Sequence, residues 1–279
     1  MTAITKIFPF VLLVASLAAH DDIDVQVAAL TERISLTPDD SDLYHRRAEL
    51  HRAHEEFALA LADYDQALKR APDQVASHVG RSSALLANGQ PGQALASANR
   101  ASSLQPDSAE AHLALARALA ALGRGNEADK AYTRATNLHT RPTPELFLEH
   151  AASLRGQQPP NRSRAIEVLR DGTSTVGALV TLISPLIDLL LDAGDAEAAL
   201  AVCDQLPRSL TNTPNWLVRR ASVLAALNRV PEAHQTYRAA QQAIARLPER
   251  RRKTAAMTGL LVEIRTAVDG LSKGGKPGR

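Results

Sequence analysis

Small and apolar side chains recur along this chain with a period of about 34 residues, an interval typical of helical-repeat proteins. Three prolines, Pro38, Pro72 and Pro106, are separated by that interval, and the next step reaches Thr140. Between them, apolar residues recur every three or four positions, the spacing of one face of an α-helix. Asn88-Gly89 and the glycines around Arg124 interrupt this pattern and divide it into paired helices. A fixed period of this length predicts stacked helical repeats that need no single globular core.

Three regular repeats start at Ser41, Val75 and Ala109, and we number the places within each repeat from 1 at these residues. Places 4, 11 and 24 hold mostly larger side chains, among them Tyr44 and Tyr64, whereas the aromatic residue at place 17 occurs only in the first repeat. Small residues occupy places 8, 20 and 27 throughout: Ala48, Ala60, Ala67, Ser82, Ala94, Ala101, Ala116, Ala128 and Ala135. Helices approach closely only where facing positions lack bulk, so these places predict the contacts between paired helices.

This set of places resembles the tetratricopeptide repeat family, which has two antiparallel helices in each repeat unit. The resemblance implies an all-α fold, an α-solenoid of antiparallel helix pairs wound into a superhelix, with about six repeats. We expect capping helices at both ends, because terminal repeats must cover their outer faces. The implied segments are a capping helix at 20–40, three regular repeats at 41–142, degenerate repeats at 143–247, a C-terminal capping helix at 248–271 and a disordered tail at 272–279.

The N-terminal capping helix is predicted by an apolar stripe at Ile23, Val27, Leu30 and Ile34. After Thr140 the period weakens. Residues 171–177 are rich in Gly, Ser and Thr and are predicted to form a linker. Residues 179–191 form the most apolar helical pattern beyond the N-terminal segment, interrupted by one proline, and residues 249–271 are predicted to form a single final helix.

Residues 1–19 have the pattern of a secretory signal. Lys6 is the only charged residue before Asp21, an apolar run follows at 7–17, and Ser16 and Ala18 are small residues suited to cleavage. We expect export to the periplasm or outside the cell, with no membrane span after cleavage. An uncleaved anchor and the absence of export are the alternatives.

Charge and cysteine content narrow the classes of partner. With 32 basic and 30 acidic side chains, the formal net charge is +2, which disfavours a nucleic-acid binder. Cys203 is the only cysteine, so neither an intrachain disulfide nor a cysteine-based metal cluster can form.

The resemblance also implies a binding groove lined by the first helix of each repeat. Carried over by place, its candidate residues are Asp42, His45, Glu49, Arg52, Val79, Ser83, Leu86, Glu110, Leu113 and Arg117. A protein or peptide ligand, bound as a peptide or a helix from another exported protein, is the expected partner. The groove lacks the cluster of Lys, Arg and Asn with which some family members bind a C-terminal carboxylate, so we do not expect that mode.

Histidines are the main candidates for chemistry. His51 and His54 could share a helix face as metal ligands, His78 and His112 occupy the same repeat place, and His20 could become a chelating N-terminus. Without HExxH spacing or a phosphate-binding loop, packing and solvated histidines are the simpler interpretation. We therefore predict a non-catalytic scaffold with no cofactor, no catalytic residues and no metal site. One alternative is an accessory subunit whose second half, after Gly177, docks permanently in a larger complex; the apolar pattern at 179–191 and the irregular repeats favour it. The other is an enzyme with an unrecognised site.

Overall fold

The computed structural model describes residues 23–274, and this part of the chain is all-α, with sixteen helices and no strands. It divides into two compact units, a first unit up to Thr140 and a second unit from Arg141. The predicted signal segment at 1–19 and residues 275–279 of the predicted tail lie outside the described residues. Among residues 23–274, no helix combines the length and the apolar character needed to cross a bilayer.

In the first unit, corresponding helices of successive repeats start 34 residues apart. The first helices of its repeats are α2 (Ser41–Ala53), α4 (Val75–Ala87) and α6 (Ala109–Ala121), and the second helices are α3 (Phe57–Arg70), α5 (Pro91–Leu104) and α7 (Gly125–Leu138). Each helix packs against the next in sequence. The small residues at places 8, 20 and 27 are all fully buried, as the packing argument requires.

Residues 23–36 form α1, which starts one period before α3 and therefore continues the same repeat pattern. Its predicted apolar stripe is half-buried, and the guanidinium of Arg47 on α2 donates to Thr31 Oγ1 at 2.8 Å. The helix thus has the position of a second helix in the repeat pattern, and it covers the repeat that starts at Ser41.

The turn between paired helices has the same backbone conformation in each repeat. Place 15 adopts a positive φ, with 61° at Glu55, 73° at Gly89 and 72° at Gly123. Glycine populates this left-handed region without steric cost, which explains the glycines that mark these turns in the sequence. Two residues of the second unit, Gly194 and Asn228, also have positive φ and are themselves one period apart.

The second unit contains nine helices within residues 141–274. They are α8 (Pro144–Arg155), α9 (Arg162–Val176), α10 (Val180–Asp192), α11 (Ala196–Cys203), α12 (Arg208–Thr211), α13 (Pro214–Ala226), α14 (Val230–Ala245), α15 (Glu249–Arg252) and α16 (Ala255–Gly274). The starts of α10 and α13 are again one period apart, so the period is lengthened between α6 and α10 and restored after α10.

The predicted linker at 171–177 is wrong, because α9 continues to Val176 and only Gly177 leaves the helix. A Cβ on Gly172 would lie 2.8 Å from Phe147 Cγ, so this glycine lets α8 and α9 pack closely. The hydroxyls of Thr173, Ser174 and Thr175 donate to carbonyls three or four residues earlier in the same helix. The glycine that suggested a linker therefore allows close packing, and the hydroxyl residues beside it bond within the helix.

The apolar helix predicted at 179–191 is α10, and it forms the core of the second unit. Leu182, Ile183, Leu186, Ile187 and Leu190 are at most 1% exposed. These side chains are buried within their own unit, whereas Leu179 and Val180 at the start of the segment are 41% and 40% exposed. Most of the apolar surface that favoured a permanently docked subunit is therefore covered within the unit.

The single helix predicted at 249–271 is two helices. Lys253 and Thr254 separate α15 from α16, and Thr254 Oγ1 accepts a hydrogen bond from the backbone N–H of Met257. Ile264 is fully buried where α16 packs against α13 and α14. The last helix extends past Leu271 to Gly274, into the segment predicted as a tail.

Candidate functional site

Three successive first helices of the first unit, α2, α4 and α6, line an open pocket of about 470 Å³. We call it the groove pocket. It brings together seven of the ten predicted groove residues: His45, Glu49, Arg52, Val79, Ser83, Glu110 and Arg117.

Three predicted residues do not line this pocket. Asp42 lies at the first turn of α2, where its carboxylate pairs with Arg46 at 2.8 Å. Leu86 packs against the buried cluster around Leu85, and Leu113 is half-buried on α6. Repeat places alone do not separate residues that face the pocket from residues that support it.

Glu49 accepts three hydrogen bonds from side chains of the fold. One carboxylate oxygen accepts a short hydrogen bond from the hydroxyl of Tyr64, and the other accepts two from Arg52, the closer at 2.6 Å. Burial opposes ionisation most strongly, but the hydrogen bonds from Arg52 and Tyr64 together outweigh it, so the pKa of Glu49 is lowered. Burial and this hydrogen bond raise the pKa of Tyr64. The pocket therefore holds a neutralised ion pair rather than two independent charges.

Gly80 on α4 makes this arrangement possible. A Cβ at Gly80 would clash with both the hydroxyl of Tyr64 and the carboxylate of Glu49. Gly80 was not among the predicted site residues, although a glycine inside a helical pattern is a signal of close approach. Val75, Gln105 and Ser108 also line the pocket without having been predicted.

His45 is held in place by the buried Ser77, which is itself held by the half-buried Gln74. Its Nδ1 lies 3.0 Å from the oxygen of Ser77, and the Ser77 hydroxyl donates to Gln74 Oε1 at 2.7 Å. Since Ser77 uses its single proton on Gln74, His45 Nδ1–H must be the donor to Ser77. The His45 and Tyr64 rings are tilted, with centroids 6.0 Å apart. The imidazole therefore presents a fixed edge to the pocket.

The floor and rim of the groove pocket differ in polarity. Val75, Ala76 and Val79 of α4 provide apolar surface. On the α6 side, Glu110 accepts a hydrogen bond from Ser108 at 3.2 Å, and Arg117 is exposed further along the same helix. An apolar strip flanked by hydrogen-bonding groups suits a peptide segment.

Three other candidate histidines contact polar groups of the first unit. His78 and His112 donate from Nε2 to the carbonyl oxygens of Pro72 and Pro106, at 2.8 and 2.9 Å. His51 Nδ1 lies 2.6 Å from Glu56 Oε2. No group of three metal-ligating residues comes together anywhere in residues 23–274, and His20 lies outside them.

Paired helices with a fixed period and a lined groove define the chain as a helical-repeat protein. More specifically, two family models described as tetratricopeptide repeat match residues 45–101 and 85–145, so this part of the chain consists of repeats of that family. No curated protein matches the chain. Proteins built from these repeats are generally non-catalytic scaffolds for protein–protein interaction.

Solved structures with the same fold share little sequence with the chain. YrrB, described as a tetratricopeptide repeat protein with an unusual peptide-binding site, is 19% identical with a TM-score of 0.51, covering 63% of this chain and 90% of its own. A tetratricopeptide repeat protein from Parabacteroides merdae is 16% identical, with a TM-score of 0.52 and coverages of 90% and 95%. A chain of the Naa15/Naa10 complex bound to HypK-THB is 14% identical, with a TM-score of 0.54 and coverages of 84% and 34%. At these identities the likeness concerns the fold alone.

Proposed function

We propose that the protein is a non-catalytic scaffold that binds a peptide or helical segment of another protein in the groove pocket. The observation that carries this proposal is the convergence of seven predicted groove residues from three helices on one open pocket. Their side chains are held by contacts within the fold, as for Glu49 and His45, so little ordering is required on binding.

The chemistry of the pocket favours a ligand with small apolar side chains and a hydrogen-bonding backbone. Val79 and its neighbours on α4 offer the apolar contact, while Ser83 donates its proton back to the Val79 carbonyl and keeps its oxygen available as an acceptor. Arg52 pairs with Glu49, and the lining of the groove pocket also includes the charged residues Arg117 and Glu110.

We further propose that the protein acts after export, in the periplasm or outside the cell. The charge and apolar pattern of residues 1–19 supports this. Cell fractionation with N-terminal sequencing of the isolated protein tests it. The proposal predicts that the protein is found in the envelope or the medium with its N-terminus near residue 19 or 20. A cytoplasmic protein that retains Met1 contradicts it.

Affinity purification from the native host tests the groove assignment. Tagged protein is compared with Ser83→Glu/Arg117→Glu, which places two carboxylates in the groove pocket without replacing either member of the Glu49–Arg52 pair. The matched control is Ser103→Glu/Lys69→Glu, which makes the same charge changes at exposed positions on α5 and α3.

We expect at least one co-purifying protein to be lost with the groove variant and retained with the control. Equal recovery of every partner with both variants would overturn the groove assignment. Circular dichroism of both variants establishes that each remains folded.

A further inference from the structure

Half-buried arginines connect successive repeats of the first unit at one recurring place. Arg47, at place 7 of the first repeat, donates to Thr31 on α1 and, through two nitrogens at 2.7 Å, to Asp63 on α3. Arg81, one period later, donates to Asp65 on α3 at 2.7 Å and to Ser97 on α5 at 2.8 Å. In both cases the partners lie 16 residues before and 16 residues after the arginine. Each arginine therefore spans three helices.

The third repeat has lost all three members of this bridge. One further period replaces Asp65 by Asn99, Arg81 by Leu115 and Ser97 by Ala131. Where the guanidinium would have lain, the structure has an open pocket of about 390 Å³ between α5, α6 and α7. We call it the α6 notch. Its lining shares no residue with the groove pocket.

The α6 notch combines an apolar floor with a cationic rim. Leu95, Leu115, Leu119 and Ala131 form the floor. Arg124 and Glu127 on the rim pair with each other at 2.6 Å, so their charges offset. The remaining charged residues of the lining, Lys130 and Arg134, give the rim a net positive charge.

We propose that the α6 notch docks an acidic amphipathic segment of another protein. An apolar side chain of the partner fills the space that Arg81 fills one repeat earlier, and carboxylates beside it contact Lys130 and Arg134. Charge complementarity distinguishes this occupant from the chain's own ends, since residues 1–20 and 272–279 contain cationic residues but no carboxylate side chain. The surface is a second interaction site, separate from the groove pocket.

The internal repeats provide a blocking variant that preserves the fold. Asn99→Asp/Leu115→Arg/Ala131→Ser installs in the third repeat the bridge seen around Arg81, and so fills the notch with a group that the fold already accommodates one repeat earlier. A second variant, Lys130→Glu/Arg134→Glu, keeps the floor and reverses the rim. The matched charge control is Lys69→Glu/Arg238→Glu, at two exposed positions elsewhere.

The experiment selects displayed random peptides of about 15 residues, a length that spans an amphipathic binding helix, on the purified chain. The bridge variant serves for counter-selection. Enriched peptides are then synthesised with a fluorophore, and their affinities are measured by fluorescence anisotropy.

We expect enriched peptides that combine Glu or Asp with Leu or Phe. Affinity should fall about tenfold or more with the bridge variant and with the rim variant, and stay within about twofold with the charge control. It should also be unchanged in Ser83→Glu/Arg117→Glu, which separates this surface from the groove.

Three results overturn the proposal. They are the enrichment of no peptide after counter-selection, enriched peptides without acidic residues, and peptide affinities that the rim variant leaves unchanged. Dimerisation of the wild-type chain that the bridge variant abolishes, measured by analytical ultracentrifugation, would instead assign the notch to contact between two copies and would also overturn it. If the bridge variant fails to fold, the rim variant decides.

Discussion

Replacing Gly80 by alanine tests whether the groove pocket depends on close packing between α2, α3 and α4. In an open helix this change stabilises a protein by about 1 kcal/mol through helix propensity. At Gly80 the new methyl group meets the hydroxyl of Tyr64, whose side chain is fully buried and cannot move aside. The two effects therefore have opposite signs, and their magnitudes decide the outcome.

The steric effect is the larger one. Overpacking a well-packed site costs about 1–3 kcal/mol, and separating Tyr64 from the charged Glu49 removes a hydrogen bond of about 1.5–3 kcal/mol. After subtraction of the propensity gain, Gly80→Ala should lower the free energy of unfolding by about 1.5–5 kcal/mol. The loss should be concentrated in the first unit.

Gly92→Ala is the matched control, because a Cβ at Gly92 on α5 meets no atom within 4 Å. Urea denaturation followed by circular dichroism gives the free energies, and hydrogen exchange of α3 and α4 locates the loss. The control should be neutral or slightly stabilising. If Gly80→Ala were as stable as Gly92→Ala, the close approach of Tyr64 to α4 would be refuted.

Three further predictions concern single groups. Arg47→Met leaves the buried carboxylate of Asp63 without its guanidinium and should lower the free energy of unfolding, measured by urea denaturation, by about 2–4 kcal/mol. The control Arg46→Met removes only an exposed ion pair and should lower it by at most about 0.5 kcal/mol. Equal losses of stability in the two variants would contradict the bridge. Because the folded pKa of Glu49 lies below its ordinary value of 4.5, its stabilisation is present above pH 4.5 and is lost as pH falls through the folded pKa. The stability advantage over Glu49→Gln should therefore shrink below pH 4.5, and an advantage independent of pH would contradict the hydrogen bonds. Burial, followed by the charge of Asp204, raises the pKa of Cys203 to about 11. Its thiol should react with a disulfide reagent at about pH 8 only after unfolding, and rapid reaction of the native protein would contradict its burial.

The 34-residue period and the small residues predicted most helices and helix contacts of the first unit, because both depend on residues close in sequence. A small residue at places 8, 20 and 27 is required wherever two helix backbones approach, so Ala48 or Ala94 identifies the contact without further information. The apolar stripe of α1 was likewise visible in the sequence. The period also places α1 in register with α3. We recognised this only from the contact of Arg47 with Thr31 in the structure.

The sequence-based predictions fail where the role of a residue depends on a contact with a residue distant in sequence. Gly172 and its polar neighbours have the composition of a linker, and only the position of Phe147 shows why they are helical. Gly80 lies inside a helical pattern, and its role requires Tyr64 and Glu49 on two other helices. The bridging arginines connect residues 16 positions away on both sides, a separation that no helical periodicity marks.

Within the groove, repeat places located the pocket but not its chemistry. The sequence placed Glu49 and Arg52 among the groove residues, whereas the structure pairs them with each other and joins Glu49 to Tyr64. Side-chain pairing across helices determines which charges a ligand meets, and that information is absent from a list of places.

Site-specific photo-crosslinking in the native host tests the central claim most directly. A benzoylphenylalanine at position 83 lies in the groove pocket, and the same residue at position 103 lies on the exposed side of α5. Both positions hold serine in the natural chain, so the two replacements are matched. We predict a discrete crosslinked partner from position 83 that is absent from position 103. No crosslinked product from position 83, or the same products from both positions, would contradict binding in the groove pocket.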